Sequence, residues 1–164
     1  MKNKRIATTA LLIALAMILS YVETLIPVFV AVPGMKLGLT NLVVLVALVY
    51  LDGKYAFGIN MLRILLVAFT FGNMFALMYS LAGGMLSFII MFLLYKSGKF
   101  SYIGISVSGG VAHNIGQILV AMFVLDTASL IYYLPVLLIS GVVAGAIIGI
   151  LGGEVLKRLP KNLS

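Results

Sequence analysis

Three groups of polar residues interrupt an otherwise apolar chain, and each can donate hydrogen bonds. The segment PGMKLGLTN at 33–41 combines a cation and an amide with two glycines. The other two groups lie inside long apolar runs, and they are Asn60 with Arg63 and His113 with Asn114 and Gln117. Cations and amides placed in such surroundings bind anionic or carbonyl groups of a ligand, because unpaired polar groups are expensive in lipid. We predict a ligand-binding site formed by Lys36, Asn41, Arg63, His113 and Gln117.

Arg63 is the most unusual of these residues, since it lies about 12 Å along an apolar span. Its side chain either extends to the membrane interface or binds a ligand within the protein, with Asn60 one turn away as its nearest partner. We expect the acidic residues to lie near the ends of the spans, Glu23 and Asp126 at one side and Asp52 and Glu154 at the other. The sequence therefore predicts a pocket without a buried carboxylate.

His113 and Gln117 are four residues apart and share one helix face, whereas Asn114 points about 100° away. A histidine inside a membrane helix either completes a hydrogen bond between helices or contributes to a binding site. Its conjunction with Gln117, Arg63 and Asn41 favours a shared pocket with apolar walls.

Composition bounds the class of protein. The 164 residues are 63% hydrophobic and 9% charged, and mean hydropathy is +1.25. This composition is typical of a membrane protein, and the length allows six spans in a single domain over residues 1–164. The net charge of +7 does not indicate nucleic-acid binding, because the basic residues lie between the apolar runs. The chain has no cysteine, which excludes thiolate metal sites, and no cofactor or metal is expected.

Charges, glycines and prolines divide the chain into six helical spans, so the predicted fold is an all-α membrane bundle. The first run is longer than a signal-peptide core and is interpreted as an uncleaved span. Basic residues collect before span one, between spans two and three, between four and five, and after six. By the positive-inside rule both termini are cytoplasmic in a cell membrane. The approximate spans are 6–26, 38–51, 55–72, 74–95, 102–125 and 129–156.

The connection from Thr24 to Leu37 is too apolar for a solvated loop, yet Pro27 and Pro33 prevent a continuous helix. We expect it to fold over the outer end of the bundle, with Gly34 and Gly38 as hinges. The alternative is an interfacial connector that has no role in ligand binding.

Two helices carry faces of small residues. Gly141, Gly145, Gly149 and Gly153 are spaced four apart and form one stripe, which serves either packing within the chain or docking of another subunit. Ala10 and Ala14 form a similar face on span one. That span has no other residues typical of function, so we predict that its alanine face docks a partner protein.

The chain resembles the Gx transporter family, also called heptaprenyl diphosphate synthase component I. The resemblance covers nearly the whole chain, and its specific segments are PGMKLGLTN at 33–41 and AHNIGQ at 112–117. That family is similar to the substrate-binding S components of energy-coupling factor transporters. The resemblance implies a six-helix S-component-like bundle with a vitamin-sized ligand pocket. It also implies that Ala10 and Ala14 dock on a transmembrane coupling subunit attached to ATPases.

Two functions from different classes remain open. The first is capture of a small vitamin- or cofactor-like metabolite with anionic or carbonyl groups, for uptake driven by partner ATPases. The second is a non-catalytic membrane component of isoprenoid, quinone or flavin-based redox metabolism. Prenyl-chain synthesis by this chain alone is not expected, because Asp52 and Asp126 are far apart and cannot supply an aspartate-rich magnesium site. We therefore expect that the chain is not an enzyme.

Overall fold

The computed structural model describes residues 2–26 and 38–160. Within these residues the chain forms six α-helices and a short 3₁₀ helix, and it has no strand. This confirms the all-helical fold and the predicted number of helices. The elements are α1 (Lys2–Leu25), α2 (Asn41–Tyr50), α3 (Gly53–Thr70), α4 (Met74–Ser97), α5 (Tyr102–Val124), the 3₁₀ helix (Ala128–Tyr133) and α6 (Leu134–Arg158).

Four stretches are long and apolar enough to cross a membrane, namely Asn3–Leu25, Met74–Ser97, Tyr102–Val124 and Ala128–Arg158. The predicted second and third spans, 38–51 and 55–72, are not among these stretches, and the second is shorter than expected. Its ten residues extend about 15 Å, half of a hydrocarbon core of about 30 Å. Seven of these ten residues are buried, so α2 belongs to the protein core rather than to the lipid-facing surface.

Polar caps explain where three of the helices begin. The Asp52 carboxylate accepts hydrogen bonds from the backbone N–H groups of the first turn of α3, Asn73 caps α4 and Ser101 caps α5. Such caps satisfy N–H groups that have no partner within the helix. The cap at Asn73 also confirms that the third and fourth predicted spans are separate helices.

The glycine stripe of α6 packs within the chain. A Cβ atom built at Gly145 would lie 2.6 Å from the Cα atom of Val107, and one built at Gly149 would lie 2.6 Å from the Cα atom of Ile103. The backbones of α5 and α6 therefore touch along this stripe, as small residues allow. Gly153 does not belong to the close contact, since the nearest atom to its built Cβ is 3.8 Å away.

Within the described part of the chain, α1 packs on α2 and α3 and on no other helix. One face of α1 is buried and consists of Leu12, Ala16, Ser20 and Glu23, which are spaced three or four residues apart. The remaining face of this helix is exposed.

Candidate ligand-binding site

Arg63 points into the bundle. Arg63 is 1% exposed, and one of its guanidinium nitrogens donates a hydrogen bond to Asn60 Oδ1 at 3.1 Å. Asn60 Nδ2 in turn donates to the carbonyl oxygen of Gly84 on α4 at 3.0 Å. The interpretation in which Arg63 extends to the interface is therefore wrong, and the expected contact with Asn60 is confirmed. This chain of hydrogen bonds fixes the guanidinium between α3 and α4.

His113 and Gln117 share one face of α5, as their spacing predicts. Both are buried, and their Nε2 atoms are 2.8 Å apart. Because an amide nitrogen donates hydrogen bonds, His113 Nε2 is the acceptor in this orientation. Asn114 points away from them, as expected, and donates to the carbonyl oxygen of Leu137 on α6 at 2.7 Å. Asn114 thus ties α5 to α6, while His113 and Gln117 face α4.

Two adjacent glycines of α4 bring the two polar groups together. A Cβ atom built at Gly84 would lie 3.5 Å from a guanidinium nitrogen of Arg63. One built at Gly83 would lie 2.8 Å from the carbonyl oxygen of His113 and 2.9 Å from Gln117 Cγ. Consecutive helical residues point in different directions, so Gly83 faces α5 and Gly84 faces α3. The groups predicted to share a pocket therefore meet at the same level of the bundle.

The start of α2 lies close to His113 as well. Gly38 has a positive φ of 84°, a conformation that favours glycine. A Cβ atom built at Gly38 would lie 3.2 Å from both Asn41 Nδ2 and His113 Cδ2. Gly38, which precedes α2, thus lies beside His113 and the buried Asn41. The predicted site residue Lys36 and the predicted hinge Gly34 lie outside the described residues.

Glu23 is a member of this site that the sequence prediction missed. It is only 5% exposed, its Oε1 accepts a hydrogen bond from the backbone N–H of Leu39 at 2.6 Å, and its negative charge acts on Arg63. The prediction of a pocket without a carboxylate was therefore wrong. The predicted first span, 6–26, already contained Glu23, but the prediction did not place Glu23 on the buried face of α1 that also contains Ser20. The spacing from Ala16 and Ser20 was a signal that could have identified it.

Several buried polar atoms of this site have no hydrogen-bond partner among the described residues. They are Ser20 Oγ, Thr40 Oγ1, Asn41 Nδ2 and Arg63 Nε. Leaving a buried polar group unpaired costs about 1–3 kcal/mol, so a cluster of such groups is unusual in a folded protein. Asn41 Nδ2 and Arg63 Nε are donors, which pair with carbonyl or anionic oxygen atoms.

The predicted docking residues of α1 lie on its other face. Ala10 and Ala14 are both exposed, and they are separated from the buried Ala16 and Glu23 by the helix itself. The structure leaves this alanine face uncovered by the described part of the chain. A role in docking stays a prediction.

Comparison with known proteins identifies a family. A sequence model of the family described as Heptaprenyl diphosphate synthase component I matches residues 12–155. The matched range includes Glu23, Arg63, His113 and the other buried residues of the site. Comparisons with curated proteins and with solved structures found no match. Since the family match spans most of the length of the chain, the chain belongs to the heptaprenyl diphosphate synthase component I family.

Proposed function

We propose that the chain is the ligand-binding membrane subunit of an uptake system for a small vitamin- or cofactor-like metabolite. The observation that carries this proposal is the group of buried polar residues from α1, α2, α3 and α5, in which Asn41 Nδ2 and Arg63 Nε have no partner among the described residues. A ligand with oxygen acceptors would pair with these donors and remove their desolvation cost. The apolar helices around them would supply the walls.

Glu23 narrows the class of ligand. Because its carboxylate offsets the charge of Arg63, the site does not favour a multiply charged anion as strongly as Arg63 without an acidic neighbour would. We infer that the ligand presents carbonyl or carboxylate oxygens and carries at most a small net charge.

The first experiment is native mass spectrometry of the detergent-solubilised protein, to find a retained small molecule. Calorimetric titration with flavins, quinone precursors and vitamins then measures affinity. Asn41→Ala is expected to lower the affinity about tenfold, the effect of one lost hydrogen bond to a polar ligand. Ser87→Ala is the control, because that buried hydroxyl contacts Met91 one turn away on α4 and is not among the residues of the proposed site. Absence of saturable binding across the panel would contradict the proposal.

We further propose that the exposed alanine face of α1 docks a coupling subunit associated with ATPases, with both termini of the chain in the cytoplasm. Small residues allow another helix to approach closely in lipid. Ala10→Leu with Ala14→Leu is expected to abolish copurification of such subunits. The control is Ala146→Leu on α6, which is half-buried in the isolated chain and lies on a different helix. Loss of copurification with both would mean that the effect does not depend on this face.

The description of the family favours a second candidate, a non-catalytic component of prenyl diphosphate or quinone metabolism. This candidate predicts copurification of a prenyl-transfer or redox enzyme in place of ATPase subunits. Affinity purification followed by mass spectrometry distinguishes the two. In either case we propose that the chain itself is not an enzyme, because its sequence offers only Asp52 and Asp126 as aspartates, at opposite ends of their helices.

A further inference from the structure

An aromatic groove lies at the end of the bundle where α3 begins and α4 ends, opposite to the end that holds Glu23. Its volume is about 510 Å³, and its wall consists of Phe57, Phe88 and Phe92. The ring centroids of Phe57 and Phe88 are 5.4 Å apart, and those of Phe88 and Phe92 are 5.8 Å apart. The three rings therefore form one continuous apolar surface.

Two lysines border this groove. Lys96 Nζ lies 5.7 Å from the ring centroid of Phe92, and Lys54 lines the same groove. Neither ammonium pairs with a carboxylate in the part of the chain that the structure describes. Asp52 also lines this groove, but its carboxylate accepts hydrogen bonds from the backbone N–H groups of Lys54 and Tyr55 at 2.7 and 3.0 Å, so it caps α3 and the two lysines leave the rim cationic. An apolar wall with a cationic rim is complementary to an amphiphile with an anionic headgroup.

A second apolar groove begins on the other side of Lys54. It lies between α1 and α3, has a volume of about 440 Å³, and is lined by Ile13, Gly58 and Leu62 among others. Gly58 leaves this groove open, because a Cβ atom built there would meet nothing within 4 Å. Two grooves that start at one lysine match a headgroup from which two chains diverge.

We propose that these two grooves bind one acidic diacyl phospholipid from the surrounding membrane. The phosphate lies between Lys54 and Lys96, one acyl chain lies on the three phenylalanine rings, and the other enters the groove beside Gly58. This site is separate from the proposed metabolite site and does not depend on it. It requires only that the apolar helices span a bilayer.

The test uses native mass spectrometry of the full chain with phosphatidylglycerol and phosphatidylcholine that have identical acyl chains. The wild-type protein is expected to retain one phosphatidylglycerol in preference to phosphatidylcholine. Lys54→Gln with Lys96→Gln is expected to weaken binding of phosphatidylglycerol about 25-fold, since a lysine near an acidic headgroup contributes about fivefold. The control is Lys99→Gln with Arg158→Gln, which removes the same charge from exposed residues that do not line the groove. Equal losses in both double variants, or no loss in either, would overturn the proposal.

A second arm tests the acyl chains. Gly58→Leu fills part of the groove beside α1, where a Cβ atom meets nothing within 4 Å. It is expected to weaken binding of diacyl phosphatidylglycerol about tenfold, the effect of about two methylenes that are no longer buried. Binding of the single-chain lysolipid is expected to stay unchanged. An equal effect on both lipids would overturn the two-groove arrangement. Displacement of the lipid by equimolar inorganic phosphate would overturn a lipid ligand and indicate a soluble anion.

Discussion

The adjacent glycines of α4 allow a sharp test of how the candidate site is built. Gly83→Ala would place a Cβ atom 2.8 Å from the backbone carbonyl oxygen of His113, which α5 holds in place. Gly84→Ala would place one 2.9 Å from Ile64 Cδ1, the flexible end of a side chain. The two substitutions add the same methyl group to neighbouring residues of one helix. They differ only in what the methyl group meets.

The magnitude follows from the geometry. Since non-bonded heavy atoms need about 3.5 Å, Gly83→Ala must separate α4 from α5 by roughly 0.7 Å. Overpacking of this kind costs about 1–3 kcal/mol, whereas replacing a helical glycine with alanine stabilises by about 1 kcal/mol. In Gly84→Ala the Ile64 side chain can rotate away, so mainly the stabilisation from replacing a helical glycine with alanine remains. We expect the free energy of unfolding of the Gly83→Ala variant to be lower than that of the Gly84→Ala variant by about 1–3 kcal/mol.

Thermal unfolding in detergent measures this difference, and circular dichroism is the suitable signal because the chain has no tryptophan. At about 2–4 °C per kcal/mol for a chain of this size, Gly83→Ala should unfold about 2–12 °C below Gly84→Ala. An unfolding midpoint for Gly83→Ala that equals or exceeds that of Gly84→Ala would refute the close contact between α4 and α5 at His113.

Three further predictions concern other contacts. Gly145→Ala should lower the thermal midpoint because its Cβ would lie 2.6 Å from a backbone atom of α5, whereas Gly153→Ala should leave it unchanged or raise it, and equal midpoints would contradict the stripe's role in packing. Asn114→Leu should destabilise the protein by about 1–3 kcal/mol, as measured by the same unfolding assay, because it removes two hydrogen bonds from α5 to the Leu137 carbonyl and the Ser140 hydroxyl of α6. Glu23→Gln should accelerate hydrogen exchange of the Leu39 amide about tenfold, because a charge-assisted hydrogen bond becomes a neutral one; unchanged exchange would show that Glu23 does not hold this segment.

The sequence allowed most of the helices to be predicted because their boundaries carry strong local signals. Asp52, Asn73 and Ser101 cap the helices that follow them, and Gly98 ends α4 with a positive φ of 66°. The exception is α2. Its apolar sequence predicts a span, yet hydropathy does not distinguish a residue that faces lipid from one that faces other helices.

Parts of the site could be predicted for a similar local reason. The pairing of His113 with Gln117 follows from helical spacing on a single element. Burial of Glu23 has a local signal in its spacing from Ala16 and Ser20, but its contact with Leu39, 16 positions away, has none. The meeting of Arg63 and His113 at Gly83 and Gly84 likewise depends on how three helices pack. Long-range contacts of this kind leave no periodic signal in the sequence.

Helix α1 connects the two sites of the proposed function, the ligand site and the alanine face that would dock a partner. Its buried face carries Glu23, which contacts Leu39 at the start of α2 and acts electrostatically on Arg63, while its opposite face presents Ala10 and Ala14. Because α1 packs on α2 and α3 alone among the described helices, a partner that shifts it does not have to move α5 or α6. Such a shift would separate the Glu23 carboxylate from Leu39 and Arg63 together. A docking partner would thereby change the ligand site through one rigid helix, without contacting any residue that binds the ligand.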